Sequence, residues 1–226
     1  MSTETNTERG IVFRSTGSWY DVQDSSGENI RCRIKGKMRL KGLRSTNPIA
    51  VGDAVQFIKS KDGTGSIDSI EERRNYIVRK SVNLSKETHI VASNLDRAYL
   101  IVTIAKPRTS SGFIDRFLVT AEAYGIPTTI VFNKFDLLSS DKEAMLRQEE
   151  LEGIYTRAGY ETMRVSAESG LGIKEFREEL NSGINLLSGH SGVGKSTIIN
   201  LLIPGLELKT ADVSESHSKG RHTTTF

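Results

Sequence analysis

Cysteine, proline and tryptophan are scarce in this chain, with one Cys, four Pro and one Trp among 226 residues. The lone Cys32 cannot close an intramolecular disulfide, and even with the four His of the chain it supplies no cysteine-rich four-ligand zinc site. Long apolar runs are missing too. The longest, residues 98–105 (AYLIVTIA) and 126–132 (IPTTIVF), are broken by Thr and fall far short of the ~20 residues a membrane helix requires. A protein that crosses the membrane by helices is excluded. The opening residues 1–10 (MSTETNTERG) are polar, so they read as a frayed tail rather than a secretion signal, and the expected compartment is the cytoplasm. Internal repeats and low-complexity segments are also lacking.

The charge balance is nearly even, 31 Lys and Arg against 28 Asp and Glu, but it is not evenly spread. Residues 1–80 hold 15 basic and 10 acidic side chains, a surplus of +5, whereas residues 81–226 hold 16 and 18, a deficit of 2. Seven of the basic residues (Arg31, Arg33, Lys35, Lys37, Arg39, Lys41 and Arg44) fall within fourteen positions, and no acid lies between Glu28 and Asp53. Such a block faces either an anionic partner or only water. The same region alternates short β-type runs (residues 10–14, 19–22, 29–34, 53–59 and 66–71) with Ser-Gly and Asp-Gly turn signals. Five short strands in so small a segment predict a barrel of the OB type, a fold that binds oligonucleotides on one face and in its loops.

Beyond residue 90 the pattern changes. Residues 98–105 form a continuous β-branched run, as in a strand buried on both faces. Phe113, Ile114, Phe117, Leu118 and Ala121 then recur at helical spacing, and residues 128–132 (TTIVF) read as a second buried strand. A helix through Leu146, Leu151, Ile154, Tyr155 and Ala158 precedes a strand at 162–165. A further strand at 184–187 runs into a glycine-rich turn and a helix from Lys195 to about Leu202. This predicts a parallel, doubly wound α/β domain. The expected division is therefore residues 1–80 and residues 81–226.

Three strings in that second domain carry chemistry. Residues 189–196 (GHSGVGKS) fit GxxxxGK(S/T) after a strand and before a helix. Glycines at 189, 192 and 194 let successive N–H groups turn inward on a polyphosphate, with the helix start adding its positive end. Lys195 is placed to reach the β- and γ-phosphates, and the Ser196 hydroxyl to ligate Mg²⁺. His190 stands at a variable position of the loop and reads as a spacer rather than a base. The tetrad Asn133, Lys134, Phe135, Asp136 (NKFD) follows a buried strand, so it lies at the strand's C-terminal edge. An Asp carboxylate there can accept from both the N1–H and the 2-amino group of guanine, and adenine offers neither donor. Ser166, Ala167 and Glu168 end another strand, where a backbone N–H can meet guanine O6. Residues 220–225 (GRHTTT) hold threonines able to complete a Mg²⁺ shell, with Thr224 the candidate ligand.

In this order, with the guanine tetrad ahead of the phosphate loop, the strings resemble a circularly permuted translation-type GTPase. Together with the OB-like N-terminal region and the segments GHSGVGKST and GRHTTT, the chain is identified as similar to the RsgA (YjeQ) family of small ribosomal subunit biogenesis GTPases over essentially its whole length. The resemblance implies a β-barrel (OB-fold) followed by an α/β P-loop GTPase domain of permuted motif order. It implies a GTP hydrolase stimulated by the small ribosomal subunit late in that subunit's maturation, with the barrel contacting rRNA. GTP or GDP and Mg²⁺ are the implied cofactors. A cytoplasmic monomer without a membrane partner is the implied form. The nucleotide site then comprises Asn133, Lys134, Phe135, Asp136, Ser166, Ala167, Ser188, Gly189, His190, Ser191, Gly192, Val193, Gly194, Lys195, Ser196 and Thr197. Lys195 is its catalytic group, and Ser196 and Thr224 are its metal ligands.

Family members continue into a DxxG switch and a C-terminal zinc domain. Residues 24–27 (DSSG) and 62–65 (DGTG) fit DxxG but fall in predicted hairpin turns of the barrel, and zinc ligands are lacking. The chain is therefore expected to be a truncated form, which leaves its own hydrolytic activity open. Two other readings stand beside the GTPase. One is an ATP-dependent small-molecule kinase, which shares the phosphate loop, and the other is an RNA-binding module with a vestigial nucleotide site.

Overall fold

The computed structural model describes residues 7–34, 48–80, 88–138, 140–203 and 205–208. The chain divides into two compact units, Met1–Leu95 and Asp96–Phe226. The first unit thus runs to Leu95, where the expected division fell after residue 80.

In the first unit, β1 (Thr7–Thr16), β2 (Trp19–Asp24), β3 (Asn29–Ile34), β4 (Ala54–Lys59) and β5 (Thr64–Ile70) close a barrel in the order β1-β2-β3-β5-β4. The ladders are antiparallel except for β3 with β5, which is parallel. Alternation dictates the interior. In the β2–β3 register Tyr20 faces Cys32 and Val22 faces Ile30, and all four point into the core with Val12, Val55, Phe57 and Ile67. Burial pushes the Cys32 thiol up to about 11, so it serves as a small hydrophobe. Both DxxG look-alikes are Asx turns. The Asp24 carboxylate accepts from the Ser26 and Glu28 N–H groups at 2.8 and 2.9 Å, and the Asp62 carboxylate accepts from the Thr64 N–H at 3.0 Å.

An antiparallel hairpin of β6 (Tyr76–Lys80) and β7 (Thr88–Ser93) follows, which the sequence pattern did not reveal. It is tied to the barrel by a buried ion pair. The Asp53 carboxylate accepts from Arg73 Nε and Nη2 (both 2.6 Å), from the Ala50 N–H (2.8 Å) and from the Ser93 hydroxyl (2.5 Å).

The second unit holds a four-stranded sheet in the order β10-β9-β8-β11, built from β8 (Arg97–Val102), β9 (Thr128–Phe132), β10 (Glu161–Arg164) and β11 (Asn185–Ser188). Every ladder is parallel. Alternate residues of the central strands feed opposite faces. Leu100, Val102, Ile130 and Phe132 pack against Ile114 and Leu118 of α1 (Ser111–Ala123) and Leu151 and Tyr155 of α2 (Lys142–Arg157). Tyr99, Ile101 and Val131 pack against Ile173 and Phe176 of α3 (Ile173–Glu179) and Ile198 of α4 (Lys195–Leu202). The sheet is doubly wound, as its sequence pattern predicts. The first strand ends at Val102, short of the predicted 105. Helix α3 escaped the sequence pattern. Among the described residues no helix is long and apolar enough to cross a membrane.

Candidate functional site

Because all four strands of the second unit are parallel, their C-terminal ends share one edge, the edge at which open α/β sheets bind ligands. Four loops meet there. They follow β8 (residues 103–110), β9 (the NKFD tetrad), β10 (Ser166 and Ala167) and β11 (the glycine loop).

The glycine loop leads into α4, whose N-cap is Gly194 at φ 93° with no side-chain cap. The N–H groups of the first turn are thus left to an external acceptor. Only glycine fits at position 194. A Cβ there would take the left-handed region and lie 2.4 Å from Asn133 Nδ2. That close approach serves a bond: Asn133 Nδ2 donates to the Val193 carbonyl at 2.7 Å. Asn133 Oδ1 accepts in turn from the Ala167 N–H at 3.3 Å. One buried amide therefore joins the tetrad, the glycine loop and the segment after β10.

The carboxylate of Asp136 accepts from the Ser166 hydroxyl, and that same hydroxyl oxygen accepts from the Ser169 N–H at 3.0 Å. Ser166 thus orients the acid. Of the backbone N–H groups from Ser166 to Glu168, that of Ser166 donates to the Leu171 carbonyl at 2.9 Å, and that of Ala167 makes only the long bond to Asn133. The Glu168 N–H meets no acceptor among the described residues. Phe135 has the Arg164 guanidinium carbon 5.3 Å from its ring centre, and Arg164 is itself clamped by Glu152 at 2.8 and 2.9 Å.

The electrostatics favour an anion. Lys195 Nζ donates to the Gly189 and His190 carbonyls, both at 2.8 Å, and burial pulls its pKa below the usual lysine value. Lys134, at φ 65°, donates to the Lys106 carbonyl at 2.7 Å, and burial lowers its pKa too, against an opposing pull from Asp136. Among the described residues neither ammonium has an ion pair. A polyphosphate in the glycine loop would neutralise Lys195.

His190 is occupied on both ring nitrogens. Nδ1 lies 3.0 Å from the Ser191 carbonyl, which can only accept, so Nδ1 carries the proton and Nε2 accepts from the Thr109 hydroxyl at 2.7 Å. Burial lowers its pKa, in keeping with a neutral ring. Thr109 and Lys106, in the loop after β8, are the site residues that no motif signalled. The Ser196 hydroxyl, half-buried in the first turn of α4, has no hydrogen-bond partner among the described residues, and its hard oxygen fits Mg²⁺. Ser188, Ser191, Gly192 and Thr197 lie in the same strand end, loop and first turn. Thr224, and Lys35, Lys37, Arg39, Lys41 and Arg44 of the basic block, lie outside the described residues. Among the described residues no three His, Cys, Asp or Glu side chains gather as a metal cluster.

Comparison with known proteins is consistent with this geometry. A family model described as the RsgA GTPase matches residues 70–226, and one for the RsgA N-terminal domain matches residues 9–67. The small ribosomal subunit biogenesis GTPase RsgA of Bacteroides fragilis is 54% identical over 218 residues, which cover 96% of this chain and 70% of the relative. Its counterpart from Flavobacterium johnsoniae is 51% identical over 220 residues, 96% of this chain and 67% of the relative. The crystal structure of YjeQ from Thermotoga maritima superposes with a TM-score of 0.73 at 35% identity, covering 95% of this chain and 69% of that one. YloQ, a circularly permuted GTPase, superposes with a TM-score of 0.64 at 26% identity over 88% of this chain and 66% of that one. With the phosphate loop, the guanine tetrad and the barrel all accounted for in that order, the chain belongs to the RsgA GTPase family.

Proposed function

We propose that this chain binds a guanine nucleotide at the shared strand edge and hydrolyses GTP in the biogenesis of the small ribosomal subunit. The observation that carries the reading is the 2.7 Å bond from Asn133 to the Val193 carbonyl. It ties the tetrad to the glycine loop, which supports one nucleotide spanning both. Asp136, held by Ser166, accepts from guanine N1–H and the 2-amino group, and the backbone N–H of Ala167 or Glu168 meets O6. Adenine would leave the carboxylate without those donors, which argues against the ATP-dependent kinase. The loop N–H groups and Lys195 take the β- and γ-phosphates.

Hydrolysis is phosphoryl transfer to water. A water oxygen bonds to the γ-phosphorus as the bond to the β–γ bridging oxygen breaks, giving GDP and phosphate. The chain's contribution is positioning and charge neutralisation. His190, spent on Thr109 and Ser191, is not a general base, so the group that orients the water comes from outside the described residues or from the ribosome. Ser196, with Thr224, would hold Mg²⁺, which when bound neutralises the phosphate oxygens. The protein works as a cytoplasmic monomer, and its barrel contacts rRNA.

The test is GTP turnover with and without purified small subunits. Stimulation by the small subunit and not by the large one is the expected result, and equal rates under all conditions would overturn the ribosomal role.

A further inference from the structure

The barrel's basic side chains are treated in two ways. Arg9 pairs with Glu71 at 2.9 Å, Lys59 with Asp24 at 2.8 Å and Glu28 at 3.0 Å, and Arg73 with Asp53 at 2.6 Å. Arg31 and Arg33, exposed on β3, have no carboxylate partner among the described residues. Asp21 faces Arg31 across the ladder and forms no ion pair with either. Both guanidinium groups instead lie over one indole. Their central carbons are 4.5 and 3.8 Å from the ring centre of Trp19, at the start of β2.

The pairing follows from register. Tyr20 faces Cys32, so Trp19 and Arg33 are neighbours on the outer face and Arg31 is the diagonal contact. Two positive, planar groups held together over a half-exposed aromatic ring offer flat faces to a nucleobase and a charge complementary to phosphate. Strand β3 then leads in sequence directly into Lys35, Lys37, Arg39 and Lys41. A duplex hides its base faces. An unpaired nucleotide offers a π-face for stacking and a phosphate for the two guanidinium charges.

We propose that Trp19, Arg31 and Arg33 form a stacking platform for an unpaired nucleotide of single-stranded RNA. The inference rests on the proposed contact of the barrel with RNA and adds its conformation: single-stranded, read by base stacking as well as charge.

Trp19 is the one tryptophan of the chain, so its fluorescence reports this platform directly. The probe is a ten-nucleotide single-stranded RNA titrated into the 226-residue chain, beside a blunt duplex of the same sequence. The single strand should quench Trp19, and the duplex should not. By anisotropy of a labelled strand, Trp19→Leu should weaken single-strand binding by about tenfold or more while the slope of log affinity against log salt stays constant. Arg31→Lys with Arg33→Lys, which keeps the charge and loses the planar group, should do the same. Circular dichroism of each variant checks its fold, and the quenching result needs no variant. RNA binding with a steep salt slope, undisturbed Trp19 emission and unchanged variant affinities would overturn the platform and leave the RNA contact standing. Equal quenching by the duplex would overturn it as well. Failure of both RNAs to bind would overturn both readings.

Discussion

The two units place recognition differently because their sheets are covered differently. In the α/β unit helices pack on both faces of the sheet, leaving only the strand ends to meet a ligand. The polar groups accordingly converge at one edge, where Asn133, Asp136, Ser166 and Lys195 are held by backbone atoms and by one another. In the barrel the interior is closed and apolar, and the outward-facing residues of β3 from Asn29 to Arg33 are exposed while those of β2 are half-buried. A ligand can be read there across strands, by side chains that no backbone cage holds. The first arrangement gives steep selectivity through buried partners. The second suits the proposed RNA contact, which is tolerant because it works through stacking and charge.

The largest effect tests that selectivity. Asp136→Asn replaces a double acceptor with a group that presents an N–H to guanine N1–H. GTP affinity should fall on the order of 10⁴-fold, with xanthosine triphosphate, which carries a carbonyl at position 2, becoming the better ligand. Competition against a fluorescent GTP analogue measures both. RNA binding by the barrel should be unaffected, and unchanged GTP affinity would remove Asp136 from the site.

The barrel's own buried polar centre is structural, and breaking it should separate the units from the other side. Arg73→Met strips the buried Asp53 carboxylate of two donors and leaves it only Ala50 and Ser93. Removing one partner of a buried pair costs about 3–5 kcal/mol. By contrast, the exposed Arg9–Glu71 pair is worth about 1 kcal/mol at most. Trp19 lies in the barrel, and the helices α1–α4 all lie in the α/β unit. Trp19 fluorescence therefore follows unfolding of the barrel, and the helical far-ultraviolet signal follows unfolding of the α/β unit. The fluorescence transition should shift to lower denaturant, with GTP affinity retained.

What the sequence made legible follows the same division. Strands β8 and β9 were visible because a run buried on both faces is apolar throughout, and the glycine loop because its spacing is dictated by phosphate. Helix α3 was not, since Ile173 and Phe176 are its only buried residues and it starts on Gly172 without a side-chain cap. Two positions cannot display a period. The β6–β7 hairpin was missed because it lies outside both the barrel ladder and the parallel sheet, and Asp53 and Arg73, which tie it down, are twenty positions apart. In the site, the tetrad's Asn could be read as part of a motif, but its work as a bridge to Val193 required the fold. Thr109 and Lys106 act through partners on other strands, so no local pattern marks them.

Asn133→Ala tests that bridge with a smaller loss. It leaves the Val193 carbonyl and the Ala167 N–H without their partner, and an unsatisfied buried group costs about 1–3 kcal/mol. The helical transition should move by that amount and GTP affinity should drop about tenfold, with the fluorescence transition unmoved. An affinity loss without a stability loss would mean that Asn133 acts on the nucleotide directly and not by joining the loops.

The smallest effect is a difference in pH response between the units. The His190 pKa is lowered, first by burial and then by Lys195 and Lys134, against a raising contribution from the Ser191 carbonyl. The folded α/β unit thus favours the neutral ring, and the unfolded chain binds the proton more readily. The resulting stability is fully present above the ordinary value of 6.5 and is lost as pH falls through that value toward the lower folded one. In the barrel Asp62 and Glu71 are held low, and so is the Asp24 carboxylate, mainly by its hydrogen bond to Lys59. Its contribution is present above the ordinary 3.8 and is lost only below it. Acidification from pH 7 should therefore weaken the helical transition before the fluorescence transition. His190→Gln, which keeps a polar side chain of similar reach without the titration, should flatten the helical transition across that upper window. Equal loss in both transitions between pH 7 and 5, or a variant that keeps the wild-type slope, would break the separation.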